Sequence, residues 1–255
     1  MELTTLLIVC PLVFLAGFVD AIAGGGGLIS LPSYLIAGLP PINAVATNKL
    51  SSTIGTAAAT WRMWKGGYIC LRRSAPAAIA AIVGSFIGAR LALHAPEELF
   101  KVLLIVVLPV AAVFVLRKRT LQNEPDATLP RRKQLIILVA IAFVIGAYDG
   151  FYGPGAGTFL LIGFTAFAKL PVLQASGETK VVNLSSNVAA LTLFLMNGAT
   201  WIELGLIAAV FQTLGSYLGA GRIMKDGTRI VRPIIIVVLV LLFVKTVLES
   251  TGVLA

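Results

Sequence analysis

The sequence predicts an all-α polytopic membrane protein built from two inverted-topology repeats of about five hydrophobic segments each, some of them short, broken or re-entrant. Three observations carry that prediction. The 255 residues are 58% hydrophobic before glycine is counted, with a mean hydropathy of +0.97, whereas soluble domains hold about 45–50% apolar residues with glycine included. Apolar runs of membrane-spanning length recur from end to end, leaving no polar region long enough for a separate soluble domain. The two halves also resemble each other at a fixed offset of 131 residues.

Taken in order, the apolar runs fall at about 4–23, 26–39, 43–64, 75–94 and 98–116, and again at 134–152, 156–169, 173–196, 201–222 and 231–248. The first opens "MELTTLLIVCPLVFLAGF". Its leader is acidic and it lacks a small-residue cleavage site, so it reads as a membrane segment and not as a removed signal peptide. The second and seventh, about 14 residues each, are too short to span comfortably and either cross or re-enter. The third and eighth have full length but carry a lysine and several amides and hydroxyls. The fourth and ninth contain "GSFIGAR" and "GSYLGAG", whose glycines Gly84/Gly88 and Gly215/Gly219 suit close helix contact. Arg90 snorkels from its helix end and has no basic counterpart at Gly221. The fifth and tenth are plain apolar runs. Residues 117–133, "RKRTLQNEPDATLPRRK", form a basic cytoplasmic linker. The chain thus reads as one transmembrane domain over 1–255, with repeat 1 at about 4–116 and repeat 2 at about 134–250.

The repeat rests on matches in one register. "GLP" at 38–40 meets "KLP" at 169–171, "TNK" at 47–49 meets "ETK" at 178–180, and residues 84–90 meet 215–221. Asp20 and Asp149 join them if the second half carries two extra residues before its glycines. Basic residues then set orientation. Arg62, Lys65, Arg72 and Arg73 lie in one loop region, Arg117, Lys118, Arg119, Arg131, Arg132 and Lys133 in the central one, and Arg222, Lys225, Arg229 and Arg232 in the last. An odd number of crossings per half puts all three in the cytoplasm, with Glu2, Glu97, Glu98, Glu203, Glu249 and both termini outside. An odd number also makes the repeats inverted. Trp61, Trp64 and Trp201 suit an interfacial belt.

The net charge of +9 comes from these loops, so nucleic-acid binding is not expected. Cys10 and Cys70 are the two cysteines and His94 the one histidine, a solvated loop residue on this reading. Neither a disulfide framework nor a metal site is expected, and no cofactor. "GGGG" stands in no βαβ setting and is not a nucleotide loop.

Two constellations carry chemistry. "FVDAIAGGGGLISLP" and "AYDGFYGPGAGTFLL" each place an aspartate before a glycine cluster. Broken helices are tolerated in membranes only where the freed backbone is buried in protein or lines a wet cavity, and the N–H groups opening the next helix favour anions. Gly24, Gly25, Gly26 and Gly27, with Gly153, Pro154, Gly155 and Gly157, therefore read as paired backbone cradles, close helix packing being the alternative. The second constellation is "ATNKLSSTIGT" against "GETKVVNLSSNVAALT". Lys49 and Lys180 lie roughly 9–11 Å into their segments at about 1.5 Å per residue. A buried charge costs on the order of 2.5–3.5 kcal/mol even on the lenient scale, so two such lysines imply partners or a wet cavity. Lys180, Asn183 and Asn187 share a helix face, as do Lys49, Ser52 and Thr56; Asn48 and Thr179 stand beside the lysines. Two readings stay open together. Asp20, Asp149 or Glu178 neutralises the lysines, or the lysines contact an anion directly; where both hold, proton and anion binding are linked.

These two halves, with "D-x3-GGGG", "AVATNK", "YGPGAGTF" and "K-x2-NLSSN", resemble the TauE/SafE sulfite-exporter family of membrane permeases over essentially the whole chain. The resemblance implies secondary transport of small sulfur-containing or organic anions, such as sulfite, sulfoacetate and related sulfonates, across the bacterial inner membrane, often outward. Departures from exact doubling predict an asymmetric site: Asn183 faces Ser52, Asn48 faces Thr179, and the second cradle holds Pro154.

The expectation is a proton-linked secondary transporter, not an enzyme. Its substrate would be held by Asn48, Lys49, Ser52, Gly25, Gly26, Gly155, Gly157, Thr179, Lys180, Asn183 and Asn187, with Asp20, Asp149 and Glu178 managing protons or lysine charge. Expected partners are the small anion, protons and membrane lipid, with room for a homo-oligomer. An anion channel is the alternative within transport. The alternative from another class is an intramembrane enzyme acting on a sulfur compound or lipid, against which the sequence offers no intramembrane His–Asp pair, metal-ligand cluster or nucleophile beside a base; no P-loop supports an ATP-driven pump.

Overall fold

The computed structural model describes residues 3–96, 129–226, 229 and 233. Eight helices lie among them, with no strand: α1 (Leu3–Ala23), α2 (Gly27–Ile36), α3 (Pro41–Lys65), α4 (Leu71–Ala92), α5 (Arg131–Phe151), α6 (Ala156–Ala166), α7 (Val172–Met196) and α8 (Ile202–Asp226). The segment expected at 98–116, that at 231–248 apart from residue 233, and most of the basic linker lie outside the described residues.

Five helices, α1, α4, α5, α7 and α8, are long and apolar enough to cross a membrane. The chain is therefore a multi-pass membrane protein. Helix α3 has 25 residues but falls short in apolar content, because Thr47, Asn48, Lys49, Ser51, Ser52 and Thr53 crowd its first half. Helices α2 and α6 have 10 and 11 residues. At about 1.5 Å per residue they cover roughly half of a 30 Å hydrocarbon layer.

The four helices of each half follow one plan. Pro40 and Pro171, 131 positions apart, precede α3 and α7, where a missing N–H costs nothing. Gly38 takes φ +87° before α3, and Lys169 takes φ +55° at the matching place before α7. Gly67 and Gly198, after α3 and α7, repeat the match at +78° and +67°. Between halves, α1 packs on α8 and α4 on α5, while α3 packs on both α7 and α8, and α4 on α7. Exchanging the halves reproduces that pattern of neighbours.

Small residues set the two closest packings. Gly84 and Gly88 of α4 face the carbonyls of Phe143 and Ala147 on α5, and Gly215 and Gly219 of α8 face those of Phe14 and Phe18 on α1. Helix contact is what their four-residue spacing predicts. The outer faces of α4 and α8 are apolar and exposed, with Ile79, Val83, Phe86 and Ile87 matched by Val210, Leu214, Tyr217 and Leu218. His94 and Arg90 are exposed at the end of α4. Helices α3 and α7 run antiparallel: Lys49 meets Asn187, and farther along, the Thr60 hydroxyl donates to the Lys180 carbonyl at 3.3 Å.

Candidate functional site

The chain unwinds twice, and the two breaks touch. Gly24 joins α1 to α2 at φ +76°, and Gly153 and Gly155 join α5 to α6 at φ +101° and +81°. Glycine alone takes these values without a Cβ penalty. A Cβ on Gly24 would overlap the main chain of Gly157 and Thr158, so the approach also needs glycine. Thr158 fastens the junction: its N–H donates to the Gly24 carbonyl at 3.2 Å and its hydroxyl to the Ala23 carbonyl at 2.7 Å. The Tyr148 hydroxyl donates to the Pro154 carbonyl at 2.7 Å, holding the second break. In the first, the Gly26 N–H reaches Asp20 Oδ1 at 3.4 Å.

Each deep lysine then crosses to the aspartate of the opposite half. Lys49, 2% exposed, has its Nζ 2.8 Å from Asp149 Oδ1, and Lys180, 1% exposed, has its Nζ 3.0 Å from Asp20 Oδ2. The two surroundings differ. Lys49 also donates to Asn187 Oδ1 at 2.9 Å, while Asp149 Oδ2 accepts from the Ser186 hydroxyl at 2.5 Å. Lys180 also donates to the main-chain carbonyl of Asp20. Removing one partner of a buried pair leaves an uncompensated charge and costs about 3–5 kcal/mol, so the pairs tie the two halves together at the breaks.

A polar cavity of about 20 Å³ lies beside them, space for about one water. From the first half, Asp20, Gly24, Gly27, Asn48, Lys49, Ser52 and Thr56 border it. The second half supplies Asp149, Gly153, Gly157, Asn183 and Asn187. Asn48 is oriented from behind by the Ser30 hydroxyl, which donates to its Oδ1 at 2.6 Å.

Most of the residues predicted from sequence gather here, but not all. Gly25, Gly26 and Gly155 belong to the breaks without bordering the cavity; Lys180 and Thr179 are buried and do not border it either, Lys180 being held to Asp20, which does. The Thr179 hydroxyl makes no hydrogen bond among the described residues. Glu178 stands elsewhere. Its Oε1 accepts the Cys70 N–H at 3.1 Å and lies 3.4 Å from Arg73 Nε, and its Oε2 accepts the Ser74 hydroxyl. It therefore balances Arg73 and not a lysine. Sequence reasoning missed Ser30 and Thr158 as supports; Ser186 stood out only as one of the polar neighbours of Lys180 in "NLSSN". Hydroxyls inside apolar helices were the available signal, weak because such groups commonly bond their own helix backbone. No group of three or more His, Cys, Asp or Glu suited to a metal occurs among the described residues.

The chain matches the family model "Sulfite exporter TauE/SafE" over residues 9–246. It is 34% identical over 238 residues to "Probable membrane transporter protein ORF9" of Sinorhizobium sp, covering 93% of this chain and 90% of that protein. It is 31% identical over 239 residues to "Probable membrane transporter protein YfcA" of Escherichia coli strain K12, covering 93% and 88%. A "Probable membrane transporter protein" of Haemophilus influenzae is 30% identical over 237 residues, covering 93% and 92%. No solved structure gives a significant match. The chain belongs to the TauE/SafE family of membrane transporters.

Proposed function

We propose that this member of the TauE/SafE family is a secondary transporter that moves small sulfur-containing or organic anions, such as sulfite or sulfonates, across the bacterial inner membrane by alternating access with a linked proton. One observation carries the reading: two buried lysine–aspartate pairs, crossed between the halves, meet a polar cavity where both helix breaks converge. Intramembrane ionisable groups of this kind mark transport pathways, and paired interrupted segments mark transporter sites.

The asymmetry of the pairs divides the work. Lys49 borders the cavity and is shared between Asp149 and an amide, Asn187. An anion reaches Lys49 only if Asp149 gives way. Protonating Asp149 removes its hold, leaving the ammonium with the amides of Asn183 and Asn187 and the hydroxyls of Ser52 and Thr56 to receive anion oxygens. A proton and an anion then favour each other's binding, and the coupling is reciprocal. Lys180 is tied to both the side chain and the main chain of Asp20 and does not border the cavity, so it fixes the first break in place.

Loading one proton with a doubly charged anion moves one net negative charge. An inside-negative potential drives that charge outward with about 2.3 kcal/mol per 100 mV, which fits an exporter. The cavity has space for about one water, so loading a sulfite-sized anion involves the halves parting at one end. An inverted relation of the repeats, supported by the antiparallel α3 and α7, supplies two equivalent ways of parting. With the basic loops cytoplasmic, the Arg62–Lys65 end of α3 faces inward.

Counterflow separates this reading from an anion channel. In proteoliposomes preloaded with unlabelled sulfite, a carrier accumulates external labelled sulfite transiently above equilibrium, saturating with concentration. Labelled sulfite that only equilibrates, at a rate linear in concentration, contradicts the carrier reading.

A further inference from the structure

The same clasp is built twice, at opposite ends of the antiparallel α3–α7 pair. At one end the head of α4 is fastened to α7: the Cys70 N–H and Ser74 hydroxyl donate to Glu178, Arg73 pairs with Glu178, and Arg73 Nη2 donates to Gln174 Oε1 at 3.0 Å. At the other end, the head of α8 is fastened to α3: the Trp201 N–H donates to Thr47 Oγ1 at 3.0 Å, and Asn43 Nδ2 donates to the Ala199 carbonyl at 2.7 Å. Adding 131 converts Cys70 to Trp201, Thr47 to Glu178 and Asn43 to Gln174. Thr47 and Thr60, the α3 residue that touches Lys180, are 13 positions apart, so the clasps sit roughly 20 Å apart along the helix pair. The cavity lies between them.

Each clasp ties the helix that carries one lysine to the turn leaving the helix that carries the other. The two differ in charge: the α3 clasp uses a neutral hydroxyl, whereas the α7 clasp uses a buried carboxylate facing an arginine. Hydrogen bonds to an ionised acceptor are roughly twice as strong as neutral ones.

We propose that the Glu178 and Thr47 clasps are the two gates of the transport cycle, with Glu178 holding the basic-loop end shut more firmly, so that the protein opens preferentially at the Trp201 end. This rests on the transport reading above, but gives Glu178 a positioning role away from the anion and the proton.

Cys70 is a built-in reporter, since its own N–H belongs to the clasp and its side chain is half-buried. The test uses the full chain with Cys10→Ala, in vesicles of both orientations, alkylated with a membrane-impermeant maleimide. Glu178→Ala is expected to raise the Cys70 alkylation rate on the order of tenfold, as loss of hydrogen bonds to a charged group predicts. Ser74→Ala, the milder change, raises it about threefold. Thr47→Val leaves Cys70 no faster, but raises labelling of Thr200→Cys, the reporter at the other clasp in a Cys70→Ala background, about threefold. Monodisperse elution confirms folding; if Glu178→Ala fails to fold, Ser74→Ala decides. Unchanged Cys70 labelling in the folded variants overturns the proposal, as does Thr47→Val speeding Cys70 as much as Glu178→Ala. No substrate enters the labelling assay, so a wrong anion class and a wrong gate assignment give different results.

Discussion

Replacing Gly24 with alanine probes the contact on which the whole site is hung. Two costs add. At φ +76° an L residue is strained by about 1–2 kcal/mol. The new Cβ also meets the main chain of Gly157 and Thr158, which must move away. That displacement breaks the two bonds from Thr158 to Gly24 and Ala23, each contributing about 1 kcal/mol. The sum is about 3–4 kcal/mol. Gly38 provides the control, because it has φ +87° with nothing within 4 Å of an added Cβ. Gly38→Ala therefore pays only the strain of about 1–2 kcal/mol. Thermal unfolding in detergent should place Gly24→Ala well below Gly38→Ala, and transport should fall in the former alone. Equal melting temperatures for the two variants would refute the claim that the breaks bear on each other.

Other predictions follow from the same geometry. Lys169→Gly relieves a φ of +55° and should stabilise the protein by up to about 1 kcal/mol, seen as a higher melting temperature. Asp149→Asn strands Lys49 and should cost about 3–5 kcal/mol, whereas Lys49→Met combined with Asp149→Leu should regain most of that stability without regaining transport. Asp149→Asn also mimics the protonated carboxyl, so the thermal shift produced by a sulfonate, which stays fully ionised at neutral pH, should lose its pH dependence; a pH profile like that of the unmodified protein counts against the proton linkage. Tyr148→Phe frees the Pro154 carbonyl and should lower stability by about 1 kcal/mol.

The features legible in the sequence are those that are expensive in a membrane. Lys49, Lys180, Asp20, Asp149 and the glycine clusters stood out because charge and broken backbone are costly in hydrocarbon. The all-helical, multi-pass class followed from hydropathy, and the 131-residue register reappears in the left-handed turns at Gly38 and Lys169. Partner choice was not legible. That Lys49 reaches Asp149 and Lys180 reaches Asp20 depends on how the halves cross, which no local pattern encodes. Glu178 shows the same limit at short range. Only two positions before Lys180, it points to another part of the helix, since residues i and i+2 do not share a face, and it meets Arg73 instead. The α3 segment, expected as a crossing, carries so many polar groups that its hydropathy no longer resembles one; Asn48, Lys49 and Ser52 border the cavity, Thr47 meets the other half, and Ser51 meets Tyr34 of α2.

Lys49, held by Asp149, is proposed to receive a small anion together with a proton. The most direct measurement is uptake of labelled sulfite and a small panel of sulfonates into proteoliposomes, with and without a pH gradient, for the unmodified protein, Lys49→Ala and Lys180→Ala. Uptake should saturate, respond to the gradient and be abolished in folded Lys49→Ala. Normal transport by Lys49→Ala, or no movement of any of these anions by the unmodified protein, would contradict it.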